Sequence, residues 1–128
     1  MIGKSIFDIL KTDATVSGFV GTKIFPIRTP QDTAFPFLIY LVEGNEPHPT
    51  KDDVSKLDVY SFLIAGFSNT YDELQDVMQA VRSVLDRYGG TNKGNVIDKI
   101  NYEGEKNGYD DKAKVFFNEQ SYEARIKL

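Results

Sequence analysis

Apolar residues recur every third or fourth position at the start of the chain: Ile2, Ile6, Phe7 and Leu10. That spacing places them on one face of a helix ending near Lys11. Asp13 then reads as the N-cap of a second short helical turn through Val20, with Val16, Phe19 and Val20 as its apolar side. Gly21 is placed to close it in a left-handed conformation. Lys23 to Ile27 is short and holds Pro26, which cannot donate to a ladder, so it is an edge strand or an extended linker. Arg28 to Ala34 reads as a loop. Pro36 biases Phe35 toward extended geometry and leads into the run FLIYLV, Phe37 to Val42. Both faces of this run are apolar, which predicts a central strand that ends or bulges at Gly44.

Glu43 to Lys56, with Pro47, His48, Pro49, Asp52 and Asp53, has no core pattern and reads as a long hairpin arm or flexible loop. The best-patterned stretch follows, from Leu57 to Tyr88. Its first part, Leu57 to Gly66, is a strand with Leu57, Val59, Leu63 and Ala65 on one face and Tyr60, Phe62 and Ile64 on the other. If helices cover the first face, the second must be buried by something else: a neighbouring subunit is the preferred candidate, and coverage of both faces within the monomer is the alternative. Ser68-Asn69-Thr70 is a turn, and Thr70 with Glu73 forms a capping box in which the two residues satisfy each other's backbone N–H groups. Leu74, Met78, Val81, Leu85 and Tyr88 then make the stripe of a long helix stopped by Gly89-Gly90.

Beyond the glycines, Val96 to Tyr102 reads as a half-exposed strand with Val96, Ile100 and Tyr102 on one face and Ile97 on the other. Glu103 to Asp111 is charged and glycine-rich, hence a turn region. Lys114 to Phe117 is a short strand. Tyr122 to Leu128 alternates cleanly and reads as an edge or solvent-facing strand. The pattern predicts an α+β fold: an antiparallel sheet of about four strands, with one long and one or two short helices packed on one face. The length of 128 residues fits a single domain over 1–128.

Composition narrows the function more than it names it. The chain has no cysteine, which removes disulfides and thiolate metal sites. His48 is the only histidine, and its Pro-His-Pro setting predicts exposure in a loop. Asp52-Asp53 and Asp110-Asp111 lack the regular oxygen ligands of a calcium loop. Gly89-Gly90-Thr91-Asn92-Lys93-Gly94 follows a helix and lacks the Gly-Lys-Ser/Thr ending of a phosphate loop, so it reads as a helix stop and turn. No catalytic, cofactor-binding or metal-binding residue is expected. No run is long and apolar enough to span a membrane, and no secretory signal is expected at the start of the chain. The net charge of −4 argues against a dedicated binder of the nucleic-acid backbone. The polar segments that invite a partner are the two arms, Glu43–Lys56 and Glu103–Glu119.

The layout resembles the tail-completion or tail-terminator proteins of long-tailed bacteriophages and prophages. The resemblance is carried by FVGTKIFPIRTPQDTAFPFLIYLVEG after the opening helix, by LDVYSFLIAGFSNTYDELQDVMQAVRSVLD, and by the closing SYEARIKL. The chain departs from many relatives in its acidic, glycine-rich segment from Glu103 to Asp111. The resemblance implies a non-enzymatic virion protein, without cofactor, present in the host cytoplasm during assembly. It implies self-association in a ring, usually a hexamer, at the head-proximal end of the tail. Such a ring contacts the tail tube protein, stops tube polymerisation and presents a surface to the head-tail connector protein. DNA passes its lumen without sequence-specific binding. Two other readings stand beside this one: a head-completion or minor tail protein, and a host protein–protein adaptor of similar fold.

Overall fold

The computed structural model describes residues 2–49 and 55–128. Among these residues three helices, α1 (Ile2–Thr12), α2 (Ala14–Val20) and α3 (Tyr71–Leu85), accompany six strands: β1 (Ile24–Pro26), β2 (Phe37–Pro49), β3 (Ser55–Ser68), β4 (Gly90–Asn92), β5 (Asn95–Asp110) and β6 (Val115–Lys127). The strands form one sheet in the order β1-β2-β3-β6-β5-β4. β1 runs parallel to β2 and every other neighbour is antiparallel. The expected antiparallel sheet of about four strands with one long and one or two short helices is therefore corrected to a mixed six-stranded sheet with three helices. Strands β1 and β4 hold three residues each, too few to carry a recognisable period. The segment from Glu103 to Asp110 is strand rather than turn, and only Asp111 lies in the turn that follows. The two separate pieces expected after Lys114 are one continuous strand, β6.

Two bulges explain much of that difference. β5 shifts register between Ile97 and Lys99 and again between Tyr102 and Gly104. A one-residue slip moves side chains to the opposite face. Ile97 and Ile100 thus both enter the core, although they lie three apart, while Val96 stays exposed. β2 shifts likewise between Val42 and Gly44 and continues as the arm expected around Glu43–Lys56, with Gly44 opposite Ser61 and His48 opposite Leu57. The tip of that arm, residues 50–54, lies outside the described residues.

The core lies between the helices and one face of the sheet. Ile6, Leu10, Val16, Leu74, Val81 and Leu85 from the helices meet Leu38, Phe62, Ile64, Ile100, Tyr122 and Ala124 from the strands. Phe62 and Tyr122 are cross-strand partners and their rings stack at 5.3 Å. The face of β3 carrying Tyr60, Phe62 and Ile64 is therefore the helix-covered one, opposite to the assignment to a neighbouring subunit. Gly66 makes this packing possible: a Cβ there would lie 2.3 Å from Met78 Sδ.

The corner between β3 and α3 is fixed by a relay rather than a simple box. Thr70 Oγ1 accepts the Glu73 N–H at 3.3 Å, as the sequence implies. Glu73 does not return to the Thr70 N–H. Its carboxylate accepts from Ser68 Oγ at 2.6 Å, and Ser68 Oγ in turn accepts the Thr70 N–H at 3.3 Å. Asp13 caps α2 by accepting the Val16 N–H at 3.0 Å, and Gly21 ends it with φ of 62°. α3 stops at Leu85, short of Tyr88, because residues 87 and 88 turn to pair with Ile100 of β5.

Replacing Phe62 by Ala is expected to cost about 3–5 kcal/mol, since it leaves a cavity under α3. Thr70→Ala is expected to cost about 1 kcal/mol. Urea denaturation of the two variants should reproduce that ranking; equal losses would contradict the placement of Phe62 at the centre of the core.

Candidate assembly surfaces

Among the described residues, no group of three or more His, Asp or Glu side chains comes together in a way that could hold a metal. Asp110, the first of one acidic pair, accepts backbone N–H groups of Lys112 and Ala113 at 2.9 and 3.1 Å and so shapes the β5–β6 turn. The glycine-flanked loop after α3 becomes the β4–β5 hairpin. Its Asn92 donates to Asp8 at 2.9 Å, and Ser5 of α1 donates to Asn92 O at 2.8 Å. The loop is a docking point for α1, which also explains the burial of Ser5. The side chain of His48 lies outside the described residues. What the fold does display is surface, in three distinct parts.

The first is the sheet face away from the helices. The register puts Phe37, Ile39 and Leu41 of β2 beside Phe67, Ala65 and Leu63 of β3 on this side. At one end a row of phenylalanines crosses the sheet. Phe35 stacks on Phe37 at 5.3 Å, Phe37 on Phe67 at 4.9 Å, and Phe67 approaches Phe117 at 6.4 Å, while Phe25 meets Phe37 edge-on at 6.5 Å. The row shields itself well enough to leave Phe37 only 5% exposed with no helix above it. It ends over Gly108, where an added Cβ would sit 2.3 Å from the Phe117 ring. Toward β6 and β5 the same face turns polar, with Glu119 and Glu123 paired to Lys106 and Arg125. A sheet face that is half apolar and half charged suits a partner contact better than open water.

The second part is the β5–β6 arm, which occupies residues expected to be a turn region and a short strand. Its helix-side surface carries a polar network. Gln120 donates to Met78 O at 3.0 Å and accepts from the Tyr122 hydroxyl. Asn118 donates to both Glu105 and Asn107, and the Tyr102 hydroxyl donates to Glu105 at 2.9 Å. The Arg82 guanidinium lies 3.7 Å above the Tyr102 ring. Burial pushes the Tyr122 phenol far above its ordinary value, and the nearby Tyr102 and Asp86 charges add to this. Burial, followed by the Glu105 contact, raises Tyr102 in the same direction. Beside the network runs a polar groove of about 540 Å³ lined by Gln75, Gln79, Arg82, Arg87 and Glu105. Gln75 Nε2 and the buried Asn118 Oδ1 have no hydrogen-bond partner among the described residues. At the end of the arm Tyr109 is 46% exposed and packs on Phe116 at 4.7 Å, with Tyr71 on its other side.

The third part comprises the sheet margins. β1 covers only Leu38 to Tyr40 of β2, and β4 covers only Asn95 to Ile97 of β5. Pro47 and Pro49 occupy the stretch of β2 that β1 leaves open. Prolines on an edge discourage indiscriminate strand pairing. Of these three parts the sequence pointed to the arms and, at Lys23 to Ile27, to an edge strand or linker. The phenylalanine row was missed because its members come from four strands and the loop before β2; the only local hint was Phe35 and Phe37 two residues apart.

A protein-family model described as "Tail completion protein gp17" matches residues 4–127. Among solved structures, a chain of "Virion of native gene transfer agent (GTA) particle" is similar with a TM-score of 0.77 and 16% identity, covering 96% of this chain and 92% of that one. A second, "Structure of bacteriophage SPP1 gp17 protein", has a TM-score of 0.50 and 17% identity, covering 99% of this chain and 88% of that one. At these identities the likeness is one of fold. No curated protein matches the sequence.

The raised tyrosines give a pH signature. The unfolded chain releases its phenol protons near pH 10, whereas folded Tyr122 holds its proton. Stability contributed by the neutral phenol is therefore complete below pH 10 and falls as pH rises above it. Tyr122→Phe should flatten that fall in a pH series of denaturant unfolding, and an unchanged slope would contradict the burial of the phenol. Separately, Gly108→Ala is expected to cost about 1–3 kcal/mol by displacing Phe117, measured by urea denaturation.

Proposed function

The chain belongs to the gp17 tail-completion family, a family of structural phage tail proteins without enzymatic activity, and from that premise we propose that it forms a closed ring at the head-proximal end of the tail tube. The observation that carries the proposal is the family match over nearly the whole chain. The surface anatomy supports it. One sheet face is covered by the subunit's own helices, while the other is partly apolar and uncovered. The two margins of the sheet are unlike each other. A head-to-tail contact joins unlike surfaces of neighbouring copies, and it closes into a ring when its rotation divides the circle. Six copies are the proposed stoichiometry, by analogy with the family.

In this role the ring caps the tube and stops its polymerisation, then offers its far side to the head-tail connector. DNA passes through the lumen. A chain with net charge −4 lacks the cationic excess that would hold DNA in the channel. Chemistry is not required of any residue. The protein works by shape, by surface complementarity and by being present in a fixed number of copies.

Deleting the gene from the phage or prophage that carries it tests this directly. Electron microscopy should show tails of irregular length without heads, and adding the purified protein back should restore joining. Uniform tails attached to heads in its absence would remove the proposal. Tails of normal length that only fail to join would move the protein to a head-completion role.

A further inference from the structure

Ile27 combines two features that each cost free energy in an isolated subunit. Its φ is 69°, a region that a β-branched residue enters only under constraint. The Arg28 N–H donates to Pro26 O at 2.7 Å, closing a three-residue turn around Ile27. The positive-φ form of this turn is rare and strained. The turn is pinned to the sheet, because the Ile27 N–H donates to Tyr40 O at 2.9 Å. The side chain is nonetheless 71% exposed. The fold thus carries a large apolar group into water on a pinned stretch of backbone, just past β1 at the margin of the sheet. Arg28 beside it is also exposed, and its guanidinium has no ion pair among the described residues. Strain of this kind persists where it serves a contact, and a side chain carried on a pinned backbone has less freedom to lose on docking than one on a loose loop.

A matching recess exists elsewhere on the same chain. Between α2 and α3 lies a cavity of about 500 Å³ lined by the apolar Phe19, Ala80 and Val84 and by the acidic Asp13 and Asp76. Asp76 is exposed and, like Arg28, forms no ion pair among the described residues. We propose that Ile27 and Arg28 of one copy seat in the α2–α3 cavity of the next. Ile27 meets Phe19, Ala80 and Val84, and the Arg28 guanidinium meets Asp76 and Asp13. The protruding turn and the recess are different parts of one surface, so copies can join head-to-tail, as ring closure requires. It names the contact for the ring proposed above and rests on that reading. An apolar anchor in a desolvated pocket beside a complementary charge has the makeup of an interface hot spot.

The absence of native cysteine allows a clean test. The full chain carrying Ile27→Cys and Val84→Cys is oxidised, alone and with tail tube protein, and run under non-reducing conditions. A ladder of covalent oligomers is expected, with each single-cysteine variant giving no more than dimers. Rings seen by electron microscopy without such a ladder would overturn this contact and leave the ring reading standing. No assembly under either condition would overturn both. Two further variants separate docking from folding. Ile27→Gly should unfold at a temperature no lower than the parent, because the turn strain is relieved, yet assemble poorly. Arg28→Glu should weaken self-association by about tenfold, and Asp76→Arg in the same chain should restore it. Failure of that restoration in a folded double variant would overturn the charge pairing.

Discussion

The angle at which β3 becomes α3 governs the rest of the molecule. Ser68, Thr70 and Glu73 hold that corner through three linked hydrogen bonds. Because Ser68 is fully buried, losing one member of the relay would leave polar atoms unsatisfied as well as uncapping a helix. With the corner fixed, α3 is laid over Phe62, Ile64 and Tyr122, and Met78 fits into the space left by Gly66. α1 and α2 then pack against α3 and the same sheet face. Three helices on one side leave the other side of a six-stranded sheet to be completed by other means.

Those means differ along the sheet. At one end the phenylalanine row buries itself by ring stacking, which aromatic side chains can do without a second layer. Toward β5 and β6 charged pairs make the face tolerable to water. The β5–β6 arm presents Asn118, Gln120 and Tyr122 toward the helix layer, where an all-apolar surface would be expected. Their mutual bonds satisfy most of the polar atoms, and the bond from Gln120 to Met78 O ties the arm to α3. A network of that kind fixes the arm in one position, since a shifted register would strand several buried groups at once. An assembly protein needs arms held at a defined angle, and this is a physical route to one.

The monomer retains features that do not serve its own stability. Ile27 is strained and exposed, Asn118 Oδ1 is buried without a partner among the described residues, and Tyr109 and Tyr71 stand out from the surface. Such groups are tolerated where association recovers part of their cost. They lie on different parts of the surface, which fits a subunit with more than one kind of neighbour.

The sequence by itself determined the local elements whose causes are local. The periodicity of Leu74, Met78, Val81 and Leu85, the Asp13 and Thr70 caps and the apolar run from Phe37 to Val42 each specify an element within a few residues, and each is where it was expected. The family resemblance was legible for the same reason, because it resides in that order of elements. Only the tertiary structure decided the rest. Which face of β3 is dry depends on where α3 lands. The sides taken by Val96, Ile97 and Ile100 depend on bulges that pairing with β6 creates. β1 and β4 exist only as additions to longer strands. The candidate surfaces follow the same rule: Phe25, Phe37, Phe67 and Phe117 become one row, and Ile27 becomes a fixed protrusion, through contacts between segments far apart in the chain.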